Sequence, residues 1–368
     1  MIHPFATPHP LPPISSCSPI KWGYAADGLH ALPARSGDST GRLALDTDRP
    51  RAHDVLVARV VEVGEHQRID LRDWTKSVLF RGDLVGVVLA SRYATRRIGA
   101  EVPGSLDELH FVCSGGVCGR VTSVAEGLRP PTVLQPVGYL RDERGERVNL
   151  RAAAPAIARR LGAHVPVVFV VGASMDSGKT TAAASLVHGL TCAGRRVAAG
   201  KLTGTASIGD LLLMRDAGAV RARDFTTAGF GSTAFASAGE LVQILDVLMS
   251  DLASADPEVV VFEIADGLLQ EETTILLDHV AQRGLASAVL YTSGDAMAVR
   301  SGLDRLRSRA LPVVAVSGTV TIAPLGVLEA QREADVPVLT RDQLCAPDVA
   351  LALLRQGRTT VERAHAAG

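Results

Sequence analysis

Two hydrophobic rhythms divide this chain. The first runs from residue 53 to 150 in short apolar stretches. Asp54-Val55-Leu56-Val57-Ala58-Arg59-Val60-Val61-Glu62-Val63 is rich in β-branched residues and stops at Gly64. Runs at 68–71, 77–80, 83–90, 109–113 and 117–124 follow, and a last hairpin pairs 137–140 with 147–150. Short strands with closely spaced turn signals predict a small β-barrel or sandwich. The second rhythm begins at residue 165 and alternates strand-like with helix-like segments. Strands are predicted at 165–171, 196–202, 258–264, 286–292, 312–317 and 336–339. Helices are predicted at 179–193, 208–217, 238–254, 271–283, 297–309, 323–333 and 343–355. This alternation predicts an α/β fold over 165–368, with a parallel sheet covered by helices on both faces. Residues 151–164 read as a linker helix, and residues 1–52, rich in Pro, Ser, Gly and Asp, as an irregular lead-in.

The strongest β-run of the second half, Val167–Val171, ends in Gly172-Ala173-Ser174-Met175-Asp176-Ser177-Gly178-Lys179-Thr180-Thr181. A helix-like segment follows at once. Strand, Gly-rich turn, Gly-Lys-Thr and helix form the context of a phosphate-binding loop. Its backbone N–H groups turn inward around an anion, and the helix N-terminus adds positive potential. Lys179 is placed to reach the β- and γ-phosphates of a nucleotide, and the Thr180 hydroxyl to hold Mg²⁺. The loop departs from G-x-x-x-x-G-K-[ST], because position 173 is Ala and five residues separate Gly172 from Gly178.

Composition sharpens this reading. The chain has only four lysines (Lys21, Lys76, Lys179 and Lys201), so arginine supplies 34 of its 38 basic residues. A chain that uses Arg nearly everywhere has placed a compact ammonium in this loop. The net charge of −1 implies no general attraction to nucleic acid or to an anionic membrane. Five scattered cysteines form no disulfide framework, and a reducing cytoplasm is the expected setting. No apolar run reaches the length of a membrane span, and no secretory leader pattern opens the chain.

Three more segments fall at predicted strand or helix ends, where an open α/β sheet binds its ligands. Lys201 follows Ala198-Ala199-Gly200, Asp210 opens the helix 208–217, and Glu263 ends the strand Val259-Val260-Val261-Phe262. An acid at the end of so apolar a strand is the usual place for a Mg²⁺-side carboxylate. Asp210 is also read as a metal-site acid, although a helix cap would use the same residue. The late strand ends at Ser317-Gly318, which are read as further nucleotide contacts. In the first half, His110, Cys113 and Cys118 match no common zinc spacing and read as buried strand residues. The patch Arg92-Tyr93-Ala94-Thr95-Arg96-Arg97 reads either as a solvated loop or as a contact for an anionic substrate.

These segments resemble dethiobiotin synthetase. Gly172 to Thr180 has the same five-residue insert as that family's loop. Lys201 resembles its second active-site lysine, Asp210 its Mg²⁺-binding Asp at a helix start, and Val260-Val261-Phe262-Glu263 its metal strand. The likeness covers residues 165–340 and extends to a wider group that includes cobyrinate amidases and cofactor-guanylylation accessory proteins. It implies ATP and Mg²⁺, with Thr180, Asp210 and Glu263 as metal ligands. The sequence departs at Leu202, where the family has Pro, in a shorter segment from Lys201 to Asp210, and in Ile264-Ala265-Asp266-Gly267, where the family has glycines. ATP and Mg²⁺ therefore carry over better than the substrate. The loop also resembles that of poorly characterised P-loop proteins described as D-amino-acid N-acetyltransferases.

Three functions are thus expected in order. The first is an ATP-dependent kinase or ligase acting on a small molecule, with phosphoryl transfer to a carboxylate, carbamate or hydroxyl. Lys179 and Lys201 would neutralise charge and Asp176 would orient the acceptor or a water. The second is an acyl-CoA-dependent N-acyltransferase, and the third a nucleotide-driven switch. No Asn-Lys-x-Asp is present to read guanine, which favours adenine. The expected partner is a small-molecule substrate, with room for a homodimer and without nucleic acid or membrane.

Overall fold

The structure, a computed structural model, describes residues 19–27 and 43–366, with side chains up to residue 357. Most of the predicted lead-in, Cys17 included, lies outside the described residues.

The first half contributes β1 (Ile20–Trp22), β2 (Leu43–Ala44), β3 (Val55–Glu62), β4 (Arg68–Asp70), β5 (Lys76–Val78), β6 (Leu84–Leu89), β7 (Ile98–Glu101), β8 (Leu109–Cys113), β9 (Val117–Val124) and β10 (Thr132–Leu140). Strands β6, β3, β10, β8 and β9 pair in that order, and β9 pairs again with β6, which closes a barrel. β1 adds to β6 in parallel, β2 to β10 and β7 to β9, while β4 and β5 form a separate hairpin. Alternation along each strand sends side chains to two destinations. Val85, Val87 and Leu89 point into the barrel with Leu56, Phe111, Cys118 and Tyr139. Val88 and Ala90, from the opposite face, join Val55, Val112 and Val117 in a cluster continuous with the core of the second half. A strand buried on both faces is apolar throughout, as the Leu-Val-Gly-Val-Val-Leu of β6 shows.

The second half contributes β11 (Val167–Gly172), α1 (Lys179–Cys192), β12 (Val197–Lys201), α2 (Ile208–Asp216), β13 (Arg221–Asp224), α3 (Ala238–Ala253), β14 (Val259–Glu263), α4 (Glu271–Gln282), β15 (Ala288–Thr292), α5 (Met297–Arg307), β16 (Val313–Ser317), α6 (Pro324–Glu333), α7 (Arg341–Cys345) and α8 (Pro347–Ala366). The sheet order is β13-β12-β14-β11-β15-β16, parallel throughout. β11 is central and wholly buried, so the loop that follows it emerges in the middle of the carboxyl edge. This is the parallel, helix-covered sheet that the alternation of segments predicts.

Several elements differ from expectation. The linker helix predicted over 151–164 is a 3₁₀ turn at Leu150–Ala153, and the residues after it are not helical. Pro155 holds Ala154 extended, and the free amides of Ala158 and Arg159 donate instead to Ser250 Oγ, each at 3.0 Å. The strand predicted at 336–339 is a single bridge from Val338 to Val316, since Pro337 has no N–H to add. Pro347 likewise divides the helix predicted at 343–355 into α7 and α8. β13 was not predicted because Arg-Ala-Arg-Asp has no apolar run, and as an edge strand it buries only alternate residues.

Candidate nucleotide site

The loop between β11 and α1 is built on close contacts. A Cβ on Gly172 would lie 2.2 Å from Ser177 Oγ and 2.7 Å from Thr292 Oγ1, so only glycine fits there. Gly178 has φ +93° and Asp176 φ +63°, two left-handed residues in one tight turn. The loop is pinned to its neighbours by Ala173 N–H to Thr292 O (2.8 Å) and Thr319 N–H to Ser177 O (3.0 Å). Ser177 and Thr292 join hydroxyls at 2.9 Å. Helix α1 has no capping side chain, which leaves its first-turn amides available to an anion. The Lys179 ammonium bends back over the loop and donates to Ser174 O at 2.8 Å.

Strand β14 lies beside β11 and β12 beside β14, and the β12–β14 register sets Lys201 opposite Glu263. Thr180 Oγ1 donates to Glu263 Oε1 at 3.0 Å, while Oε2 of the same carboxylate is buried without a partner. Lys201 Nζ donates to Asp210 Oδ2 at the start of α2. Met175, Asp176, Gly178, Lys179, Thr180, Thr181, Lys201, Asp210 and Glu263 converge on one polar cavity of about 410 Å³. Burial alone would lower the Lys201 ammonium, but the carboxylates of Asp210 and Glu263 outweigh it and hold the group above its ordinary value. Burial lowers Lys179, against the opposing pull of Glu263 and Asp266. Burial raises Glu263, with Lys201 partly offsetting it.

Ser317 and Gly318 lie behind this cavity. With Leu328 and Gln343 they line a second cleft of about 1020 Å³ that shares Gly178, Thr181 and Thr319 with the first. Gly318 packs so closely on the loop that a Cβ would lie 2.3 Å from Ser177 O. The side chain of Ser177 and the backbone of Gly172 and Ala173 build the loop and do not line the cavity. Ser174 turns its hydroxyl onto Met175 O.

The sequence reading missed Asp266, which lines the same cavity. Burial raises its carboxyl, with Lys179 and Lys201 opposing. Its φ of +68° and the Gly267 after it are the available signal, a tight turn directly after the acidic strand. Gly267 lies against the loop, where a Cβ would meet Ala173 O at 2.6 Å.

The barrel meets this edge of the sheet at several points. Tyr24 O–H donates to Asp224 Oδ1 (3.0 Å) at the end of β13, and Gly231 N–H donates to His53 Nδ1 (3.3 Å). Arg92, Tyr93 and Arg97 line a cleft of about 490 Å³ that Phe235 of the second half completes. Arg92 spends one arm on Val112 O, so the patch is part scaffold. The thiols of Cys113 and Cys118 donate to Ala206 O and Val88 O, which confirms them as packed strand residues. A depression of about 760 Å³ at the opposite end of the sheet is charged but self-paired, through Arg159–Asp256 and Arg195–Glu258.

Among the described residues, no group of three or more His, Cys, Asp or Glu is placed to hold a metal alone. The orphan Glu263 Oε2 beside the Thr180 hydroxyl nevertheless suits a hard cation that takes its remaining ligands from phosphate and water. Asp210 is engaged by Lys201 and would have to share its carboxylate. Among the described residues, no helix is long and apolar enough to cross a membrane.

No family profile and no curated protein matches the chain. Solved structures similar to it include the signal recognition particle 54 kDa protein of Aeropyrum pernix in complex with GDP (19% identity, TM-score 0.35, 58% of this chain and 53% of that one). The receptor FtsY of Elizabethkingia anophelis in complex with GDP is similar at 18% identity and TM-score 0.34, over 50% of this chain and 58% of that one. A DUF1611 family protein of Anabaena variabilis is similar at 16% identity and TM-score 0.36, over 56% and 63%. The chain thus spans little more than half the length of these structures. Likeness this distant carries no argument about activity, and the P-loop fold rests on the strand, loop and helix geometry above.

Proposed function

We propose that the protein is an ATP- and Mg²⁺-dependent small-molecule kinase or ligase. The observation that carries this reading is the convergence of Lys179, from the loop after β11, and Lys201, from β12 two strands away, on one cavity with Thr180 and Glu263. A nucleotide would lay its phosphates along the loop amides and its base in the cleft beside Ser317 and Gly318. Thr180 and Glu263, with Asp210, would hold Mg²⁺, which when bound neutralises charge on the β- and γ-phosphates. Lys179 swings from Ser174 O to the phosphates. Lys201, on the far side of the cavity, meets the transferring group and the acceptor, where a fixed charge lowers the barrier most. Asp176, exposed in the loop, orients the acceptor. The acceptor oxygen attacks the γ-phosphorus, the bridging P–O bond to the β-phosphate breaks, and ADP leaves. The likeness to dethiobiotin synthetase supports this assignment of roles.

The test incubates the protein with ATP labelled at the γ-phosphorus and a pool of small carboxylic acids, alcohols and amines with bicarbonate. Label should move into an organic acceptor, and Lys201→Met should slow that transfer roughly 10²–10³-fold while ATP still binds. Label that stays in ATP, or appears only as inorganic phosphate with every pool, overturns group transfer and leaves a switch.

A further inference from the structure

The β4–β5 hairpin reaches from the barrel and grips α2 at both ends. Asp70, 2% exposed, accepts from Ser207 Oγ at 3.2 Å, from Ile208 N–H at 3.3 Å and from Ser114 Oγ at 2.9 Å. Ser207 is the N-cap of α2, and its own oxygen accepts from Gly209 N–H. A carboxylate on first-turn amides is favoured by the helix dipole. The barrel also seats the residue before the cap. The Cys113 thiol donates to Ala206 O at 3.1 Å, and Gly115 leaves room for that carbonyl, which a Cβ would meet at 2.0 Å. At the other end of α2 the Arg215 guanidinium lies 5.0 Å over the Trp74 ring, in the hairpin's turn. Asp210 follows the cap by three residues, so the placement of the N-terminus decides where its carboxylate points.

We infer that Asp70 is a positioning residue that fixes the start of α2, aims Asp210 at Lys201 and the phosphate cavity, and so couples the barrel to Mg²⁺-nucleotide binding. The inference rests on the metal role proposed for Asp210. It gives the barrel a task at a cavity that none of its described residues line. Coupling of this kind is reciprocal, so ligand in the cavity must also tighten the hairpin's hold on α2.

The test uses the full chain and measures ATP affinity with and without Mg²⁺, together with hydrogen exchange of the hairpin amides. In the parent, Mg²⁺ should tighten ATP binding, and Mg²⁺ with ATP should slow exchange at 68–78. Asp70→Asn, which keeps the shape and loses the charge, should leave Mg²⁺-free affinity within about twofold. It should reduce the Mg²⁺ increment roughly tenfold, the low end of losing an outer-shell partner of a metal ligand. Asp210→Asn should lose a similar increment, and the double variant little more. Should Asp70→Asn not fold, Ser207→Ala removes one partner of the same carboxylate and is read in the same way. A parent that shows the increment, with Asp70→Asn or Ser207→Ala lowering Tm but keeping it whole, overturns the inference alone. A parent that binds no ATP overturns the reading of the cavity and this inference with it.

Discussion

The two halves of the molecule spend their polar side chains differently. In the P-loop half, the lysines, Thr180 and Glu263 sit at strand and helix ends and turn toward one cavity. In the barrel half, Asp54 and Thr132 are satisfied within the half, while three other buried polar groups turn toward the second half. Asp70 meets α2, Tyr24 meets Asp224, and His53 meets Gly231. Both halves use wholly buried apolar strands, such as β6 and β11, so the core by itself does not explain the difference. The difference lies in where the strand ends point, and on the proposed reading it separates the region that would hold ligand from the region that would hold the site in shape. The shared core makes this division of labour physical, because Val88 and Ala90 of the barrel are buried in the same cluster as the strands of the sheet.

The comparison breaks most readily at Lys179. Lys179→Ala removes charge-assisted contacts to two phosphates, each worth about 1.5–3 kcal/mol. ATP affinity should fall by roughly 10²-fold or more, with the far-UV spectrum unchanged. Titration calorimetry that finds parental affinity in this variant would return the loop to a structural role.

Lys201→Met should reduce turnover roughly 10²–10³-fold, the scale of losing one preorganised electrostatic contact. ATP affinity should be nearly kept. Equal losses of both would make Lys201 a second phosphate anchor and remove the reason for preferring transfer.

A smaller effect sits at the contact between the halves. Burial pushes the Asp224 carboxyl up to about 6, with hydrogen bonds from Thr226 and Tyr24 opposing. An unfolded Asp titrates near 3.9. Between about pH 4 and 6 the folded chain therefore keeps a proton that the unfolded chain has lost, so this group's contribution falls as pH rises. His53 and His66 act in the opposite sense. Burial lowers both to about 4, so the unfolded chain binds the extra protons up to about pH 6.5 and stability rises with pH. Glu263 and Asp266, which burial also raises, act in the same sense as Asp224, so the share of Asp224 is read from the difference in urea stability between parent and variant. Asp224→Asn removes the opposing group and should gain about 1–2 kcal/mol at pH 7–8, with little change at pH 4. A loss at pH 8 would instead mean that the charge is needed beside Lys201.

The smallest effect concerns the connection. Residues 154–164 are irregular and largely exposed, so limited proteolysis should cut there. The two fragments should stay together on a sizing column because their cores are joined. Separation after one cut would make the barrel an independent domain.

Five of the six strands of the C-terminal sheet were legible because each is an apolar run closed by a turn, and the loop was legible from Gly178 and the scarcity of lysine. Glu263 stood out as an acid at the end of an apolar strand. What the chain hid is non-local. Asp70 meets Ser207 across 137 residues, and no local pattern records that pairing. Asp266 was hidden for a different reason, since Asp-Gly reads first as a turn. The alanines of the linker favour a helix, but Pro155 and the hydroxyl of Ser250, which lies far along the chain, override them.

The central claim is that the cavity at Lys179 takes Mg²⁺ and ATP. Isothermal titration of the full chain with ATP, GTP and acetyl-CoA, each with and without Mg²⁺, tests it most directly. ATP should bind, Mg²⁺ should strengthen the binding, and Lys179→Ala should lose it. Acetyl-CoA that binds at the same lysine while ATP does not would contradict the account and make the loop a coenzyme A cradle.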